Sequence, residues 1–408
     1  MLGRRRWTGA VGKRRGGERG RLRALLALAG ILLVAANLRA PITAVGPLLG
    51  DIRDNVDLSA GAAGLLTAVP LLAFAGLSPL APGLARRLGV ERVLLGALLL
   101  LATGILLRSS VLPGALFAGT LAVGLAIALG NVLLPGLVKR DLPGRAGLVT
   151  GLYTATMSSV AALASGVGVP VAGGLGAGWR GSLALWAAPA LVAALLWAPR
   201  LWAGSAEAGS RERPARRSGV WRSPLAWQVT AFMGLQSAIF YVSITWLPAI
   251  LTEAGLGAAR AGWMLSVMQF VAIPAALLAP VLAERAASQR LALVAAAGLS
   301  GTGILGLLAL AGLSPLPWVV LLGLGQGASI SLALTLFALR APDAGRAAEL
   351  SSMAQFFGYL LAAAGPPLLG LLRDLSGSWS LSLVVLLAAA GLLAVAGLGA
   401  GRGARVPA

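Results

Sequence analysis

Twelve long apolar stretches dominate this sequence of 408 residues and constrain what it can fold into. A helix that crosses a bilayer needs about 20 mainly apolar residues. Each stretch is close to that length or longer, and they cover residues 24–50, 59–85, 93–109, 113–138, 146–170, 179–198, 224–252, 260–283, 291–311, 315–339, 347–372 and 379–400. The runs are continuous, whereas the strands of a membrane barrel alternate over about ten residues. The sequence therefore predicts an all-α polytopic membrane protein with twelve transmembrane helices.

Composition supports this fold class and narrows the chemistry. Charged residues make up 11 % of the chain, against about 25 % in an ordinary soluble domain. The sequence has no Cys and no His, which excludes thiolate and imidazole metal sites and Ser–His–Asp catalysis. Both lysines, Lys13 and Lys139, lie beside arginines at predicted membrane edges. We therefore predict that the protein is not an enzyme and uses no metal and no cofactor.

The net charge of +20 is distributed as a topology signal. When the loops are numbered alternately from the N-terminal tail, one set carries 27 of the 33 Lys and Arg residues. The other set carries only Arg53, Arg108, Arg180, Arg260 and Arg373. The positive-inside rule predicts that both termini lie in the cytoplasm and that the chain spans the cytoplasmic (inner) membrane many times. Because the charges form stripes along the sequence, we expect the bilayer as a partner and no nucleic acid.

Hydrophilic segments divide the chain. Residues 1–23 look like the start of a secretory signal, but the apolar run that follows is too long for one, so we interpret them as a basic cytoplasmic tail. The remaining divisions are an N-terminal six-helix bundle at 24–198, a cytoplasmic linker at 199–223, a C-terminal six-helix bundle at 224–400 and a cytoplasmic tail at 401–408.

The two bundles repeat one another. The stretch LAPGLARRLGVERVLL (80–95) aligns with LAPVLAERAASQRLAL (278–293), and GRAGLVTGLY (144–153) aligns with GRAAELSSMA (345–354). Two six-helix halves in the same orientation form a parallel repeat, the plan of the major facilitator superfamily. In that plan the substrate site lies near mid-membrane between the halves, which rock to expose it to each side in turn.

Several blocks resemble one group of that superfamily. The segment NLRAPITAVGPLL (37–49) resembles a signature of the cyanate-permease and 2-nitroimidazole-transporter-like family, and GNVLLPGLVKRDLPGR (130–145) and LSSMAQFFGYLLAAAGPP (350–367) resemble further blocks. The resemblance covers nearly all of the chain outside the tail and the linker. It implies a monomeric secondary transporter of a small solute. The sequence departs from the superfamily pattern at Arg86, where the loop between helices two and three usually has Asp.

Arg39 is the most informative single residue. It lies 12 residues before Asp51 and 16 after Arg23, hence near mid-bilayer, where an Arg costs about 2.5–3.5 kcal/mol on insertion scales. No acidic residue lies deep in any predicted span, so the substrate itself can supply the counter-charge. We predict that Arg39 anchors a small polar or anionic solute, such as a cyanate-like anion or a nitro-heterocycle. The alternative is that Arg39 braces carbonyl groups loosened by Pro41.

Other polar side chains within the spans are candidates for the lining of the cavity. Each of them can equally form a hydrogen bond between helices, and Trp246 can belong to an interfacial belt. The candidate substrate-binding residues besides Arg39 are Asn37, Thr43, Asn131, Tyr153, Gln236, Tyr241, Trp246, Gln269, Gln326, Gln355 and Tyr359. Together they predict a mostly apolar cavity with one positive anchor.

Charged residues at the predicted cytoplasmic helix ends are candidates for a gate. Ion pairs between the halves would lock the cytoplasmic side, although simple topology charge explains them equally well. The candidates are Arg86, Arg87, Asp141, Arg145, Asp343 and Arg346. Uptake, efflux, exchange, facilitated diffusion and proton coupling all fit the sequence. The alternative function is a non-transporting sensor or receptor on a transporter fold, which would bind its ligand without flux.

Overall fold

The prediction of twelve membrane helices is confirmed. The computed structural model describes residues 25–142, 145–174, 176–201, 219–286, 288–309 and 314–406, so the N-terminal tail and most of the linker lie outside the described residues. The twelve spans are α1 (Leu25–Thr43), α2 (Ala60–Leu77), α3 (Val90–Arg108), α4 (Ala115–Asp141), α5 (Leu148–Gly174), α6 (Gly178–Leu201), α7 (Pro224–Glu253), α8 (Ala258–Ala283), α9 (Arg290–Ala309), α10 (Leu316–Arg340), α11 (Gly345–Ser376) and α12 (Ser380–Ala400). With 18 to 32 residues each, they are about 27–48 Å long.

Local sequence signals set several helix ends. The hydroxyl groups of Ser59 and Ser223 accept hydrogen bonds from the backbone amides three residues later and thereby cap α2 and α7. The Asp343 carboxylate does the same for α11 through the amide of Arg346. Gly377, with φ of 72°, ends α11 in the left-handed conformation that glycine adopts without strain.

The first span is discontinuous. Residues 37–39 form a turn, the short helix Ala40–Thr43 follows, and the helix Val45–Val56 begins after a further break at Ala44. Pro41 and Pro47 cannot donate the amide hydrogen bonds that a regular helix would use here. Side chains of neighbouring helices take over part of that role, and the hydroxyl of Ser165 in α5 donates to the carbonyl of Thr43 at 3.2 Å.

The two halves of the chain touch at one end of the bundle. We call this the closed end, and it carries the connections at 57–59, 254–257 and 377–379. Glycines allow backbones to approach there: a Cβ on Gly64 of α2 would lie 2.6 Å from the backbone of Pro366 in α11. The hydroxyl of Thr245 in α7 donates to that of Thr67 in α2 at 2.8 Å.

The halves separate towards the opposite end, which we call the open end and which carries the start of α1 and the end of α12. Helices α5 and α8 show this directly. They pack together through residues 161–166 and 262–269, where Ser266 donates a hydrogen bond to the carbonyl of Ala162 and Gln269 donates to Ser165. In contrast, none of residues 150–160 and 270–282 is buried. The space between the halves therefore widens towards the open end.

Candidate functional site

Arg39 lies at the break in α1 and reaches between the two halves. Its Nη1 lies 3.4 Å from the hydroxyl of Ser158 in α5, which belongs to the same half. Its guanidinium carbon lies 5.1 Å from the centre of the Phe240 ring in α7, which belongs to the other half. Because the segment 37–39 is not helical, the side chain leaves α1 at a point where the backbone is already irregular.

An aromatic pair of the second half lies beside the guanidinium. The Phe240 ring, which the guanidinium contacts, lies 5.3 Å from the ring of Tyr241, and the two ring planes are nearly perpendicular. Tyr359 makes an edge-on contact of 5.8 Å with Phe74 of α2. The site thus combines a cation from the first half with flat apolar faces from the second, and all of these side chains belong to α1, α2, α7 and α11.

Within the described part of the chain, no carboxylate lies within 4.0 Å of the Arg39 guanidinium. The guanidinium is half-buried, and a positive charge in such a place favours an anion or a strong hydrogen-bond acceptor. No group of three or more His, Cys, Asp and Glu side chains that would suit a metal ion is present among the described residues. The arrangement can therefore bind and orient a small molecule that carries a hydrogen-bond acceptor.

The neighbours of Arg39 in α1 brace the first half. The amide of Asn37 donates to the carbonyls of Leu33 at 2.8 Å and Pro189 at 3.4 Å. The hydroxyl of Thr43 donates to the carbonyl of Ala161 in α5 at 3.0 Å. Both side chains are buried. Their hydrogen bonds to backbone carbonyls hold the chain on either side of the break.

Four of the remaining candidates are buried, three of them in hydrogen bonds between helices and one in bonds within its own helix. Gln236 donates to the hydroxyl of Ser237 in its own helix, Gln269 to Ser165 in α5, and Gln326 to Ser300 in α9. The indole of Trp246 donates to the carbonyl of Pro366 at 2.8 Å and packs on Trp379 with ring centres 4.8 Å apart. The structure therefore gives each of these four side chains a hydrogen-bond partner within the helix packing.

Three candidates are at least partly accessible. Asn131 in α4 is exposed, whereas Tyr153 in α5 and Gln355 in α11 are half-buried. Gln355 donates to the hydroxyl of Ser351, one turn earlier, at 2.8 Å. An exposed amide at this depth is costly in lipid, and so the position of Asn131 favours a water-filled space beside α4.

The candidate gate residues all lie at the open end. Asp141 pairs with Arg140 and with Arg200 of α6, at 2.7 and 3.1 Å, and both partners belong to its own half. Arg346 pairs with Glu349 in its own helix at 3.4 Å, and Asp343 caps that helix. Arg86, Arg87 and Arg145 are exposed. Among the residues that the structure describes, no ion pair joins these groups across the halves.

Three residues of the site were missing from the sequence prediction. Ser158 and Phe240 carry no signal by which a sequence distinguishes them from other residues of their helices. Arg108, which we counted among the loop charges because it ends α3, is 1 % exposed. Its Nη1 donates to the carbonyl of Pro41, at the break in α1, at 2.6 Å.

Comparisons with known proteins agree with this architecture. Residues 28–366 match the family model of the Major Facilitator Superfamily. The chain is similar in fold to a bacterial homologue of the human lysosomal transporter Spinster in an inward-facing and occupied conformation, with a TM-score of 0.73, 15 % identity and coverage of 91 % of this chain and 95 % of that one. It is also similar to the nucleoside transporter NupG, with a TM-score of 0.74, 11 % identity and coverage of 92 % and 100 %.

Curated relatives define the group more narrowly. The chain is 48 % identical to the uncharacterized transporter YycB of Bacillus subtilis, over 92 % of this chain and 93 % of that protein. It is 45 % identical to the 2-nitroimidazole transporter of Escherichia coli, over 93 % and 96 %. It is 30 % identical to the cyanate transport protein CynX of the same organism, over 86 % and 90 %. The chain therefore belongs to the major facilitator superfamily and, within it, to the group of transporters that includes CynX and the 2-nitroimidazole transporter.

Proposed function

We propose that this secondary transporter moves a small planar anion or a compact nitro-heterocycle across the cytoplasmic membrane, with Arg39 as its anchor near mid-membrane. The observation that carries the proposal is the position of the Arg39 guanidinium between the halves. It contacts Ser158 on one side and Phe240 on the other, and no described carboxylate neutralises it.

The substrate class follows from the shape and the charge of this site. A guanidinium presents a planar fork of N–H donors that matches planar acceptors such as carboxylate or nitro groups. The Phe240, Tyr241 and Tyr359 rings offer flat faces, against which a planar molecule stacks. The names of two relatives, a 2-nitroimidazole transporter and a cyanate transport protein, describe molecules of this size and chemistry.

Alternating access follows from the two ends of the bundle. The positive-inside rule assigns the open end to the cytoplasm, so we interpret the described state as open to the cytoplasm and closed to the outside. On the closed side the carboxylate of Asp374 in α11 accepts hydrogen bonds from the amides of Ala60 and Gly61, at the start of α2, at 3.0 and 2.8 Å. We propose that Arg86, Arg87, Asp141, Arg145, Asp343 and Arg346 approach one another across the halves when the cytoplasmic side closes.

Substrate counterflow in proteoliposomes tests the role of Arg39. Vesicles preloaded with cyanate, benzoate or 2-nitroimidazole would be assayed for exchange by the wild type and by the Arg39→Gln and Arg39→Lys variants. We expect exchange of at least one of these solutes, a loss of tenfold or more with Gln, and partial retention with Lys, because an ammonium keeps the charge but not the planar fork.

The matched control is Arg180→Gln. Arg180 also makes a hydrogen bond to a side chain and a cation–π contact, with Asn55 and Trp179, but it lies at the closed end within one half. Wild-type exchange by both Arg39 variants would make Arg39 a brace and refute the anchor. Saturable binding without exchange would indicate that the protein is a receptor and not a transporter.

A further inference from the structure

Arg108 is the second arginine near the break in α1, and its environment is unusual. An arginine at the end of a membrane helix normally extends its guanidinium to nearby water. Arg108 is the last residue of α3 and precedes the half-buried Ser109 and Ser110, yet its side chain turns inward and is 1 % exposed. Burying a guanidinium in this way is unfavourable unless partner groups compensate for the lost hydration.

The described residues satisfy only part of the hydrogen-bonding capacity of the Arg108 guanidinium. Nη1 donates to the carbonyl of Pro41 at 2.6 Å, whereas Nε and Nη2 have no acceptor among the groups that the structure describes. No described carboxylate lies within 4.0 Å of the guanidinium. Close packing also fixes the backbone of Arg108 against α4. A Cβ on Gly119 of α4 would collide with the backbone amide of Arg108.

The acceptor of this hydrogen bond links Arg108 to the substrate site. Pro41 lies two residues after Arg39, in the short helix between the two breaks of α1. The side chain therefore fixes the segment from which Arg39 extends, and it adds a second positive charge behind that segment. We propose that Arg108 is a positioning residue that makes the Arg39 site prefer anions to neutral solutes. This inference rests on the proposed function of Arg39.

The size of the effect follows from Coulomb's law. For a substrate at the Arg39 side chain we take a distance on the order of 12 Å from the charge of Arg108, from the backbone step between Arg39 and Pro41 and the length of the side chains. At an effective dielectric constant of about 20, one unit charge at that distance changes the affinity for a monovalent anion by about tenfold. The affinity for a neutral solute of the same shape stays nearly constant.

Counterflow with a matched pair of solutes tests this inference. Benzoate is the anion, and N-methyl-2-nitroimidazole, which has no acidic N–H proton to lose, is the neutral solute. The quantity compared is the ratio of the KM for benzoate to the KM for the neutral solute. We expect Arg108→Gln to raise this ratio about tenfold and Arg108→Lys to keep it at the wild-type value. Gln retains an N–H donor for Pro41, so a purely mechanical role predicts an unchanged ratio in both variants.

Two controls separate charge from packing. Arg340 is also a buried arginine, and its Nε donates to the carbonyl of Ala400 at 2.8 Å, but it lies at the end of α10. Arg340→Gln should leave the ratio unchanged. Ser165→Ala removes the hydroxyl that holds the carbonyl of Thr43 and should raise both KM values by the same factor. A shifted ratio in either control overturns the assignment to Arg108.

An Arg108→His variant provides a second test in a chain that has no other histidine. The imidazole, with a pKa of about 6.5 in water, is neutral at pH 8. With equal pH on both sides of the vesicles, the variant should show the shifted ratio at pH 8. A wild-type ratio there overturns the inference. If Arg39→Gln also leaves benzoate exchange intact, or if the wild type exchanges none of cyanate, benzoate and 2-nitroimidazole, the proposed function fails with it; otherwise the inference fails alone.

Discussion

Loss of the Asp374 carboxylate should open the closed end. This group joins the two halves by accepting hydrogen bonds from Ala60 and Gly61 at the positive end of the α2 dipole. The guanidinium of Arg53 lies 4.0 Å away and adds a weaker attraction. The change Asp374→Asn keeps the size of the side chain, removes its charge and leaves one acceptor for two amides.

The magnitude follows from these contacts. Removal of a side-chain cap costs about 0.5–2 kcal/mol, and bonds to an ionised acceptor are the stronger ones. The Asp374 side chain is 28 % exposed, which reduces the electrostatic part through solvent screening. We therefore expect about 1–1.5 kcal/mol, which corresponds to an increase of about 5- to 12-fold in the ratio of open to closed molecules at this end.

Distance measurements between spin labels can report this ratio, and the chain suits them because it has no native cysteine. Labels at Asp54→Cys and Ser378→Cys would lie on opposite halves at the closed end, at positions where neither side chain makes a described ion pair. In lipid nanodiscs without substrate, we expect Asp374→Asn to increase the population with the longer distance.

The matched control is Asp51→Asn, because Asp51 is an exposed carboxylate at the same end and is not the cap of any second-half helix whose cap the structure describes. This variant removes the same charge but should leave the distance distribution as in the wild type. Equal distributions for Asp374→Asn and the wild type would refute the reasoning, and so would an equal shift in the Asp51 variant, since net charge and not the cap would then control the opening.

Two further predictions concern neighbouring contacts. Gly64→Val should prevent the two halves from meeting at the closed end, because even a Cβ at Gly64 would lie 2.6 Å from the backbone of Pro366 and Pro367. Unchanged distances between the same labels would contradict this. Trp246→Phe should lower the melting temperature through the loss of a hydrogen bond worth about 1 kcal/mol to the carbonyl of Pro366 without changing the KM of any transported solute; a changed KM would place Trp246 in the substrate site.

Much of the architecture was predictable from the sequence because the bilayer imposes it. The twelve spans follow from apolar length alone, and the part of the chain that the structure describes has twelve helices of sufficient length. The depth of Arg39 also follows from counting residues, and the structure places its side chain between the halves, where a membrane arginine has least contact with lipid.

The partners of Arg39 were not predictable in this way. Hydrophobic periodicity is weak in helices that are apolar all round, so it does not show which residues of α7 face Arg39 or that Phe240 is one of them. The inward position of the Arg108 side chain was not predictable for a related reason. Charge counting assigns a residue at the end of a span to the adjacent loop, whereas the guanidinium reaches back to Pro41.

The sequence repeat allows the positions of Arg39 and Arg108 to be compared with their counterparts in the second half. At the offsets of 198 and 201 residues that align the two bundles, Arg39 corresponds to positions 237–240 and Arg108 to positions 306–309, and neither stretch contains a charged residue. One residue of the first stretch, Phe240, is the ring that lies beneath the Arg39 guanidinium. Because the two bundles share a backbone plan, this difference lies in the side chains and not in the fold. Under the proposed function, a bound substrate would therefore direct its acceptor atoms to the first half and its flat face to the second.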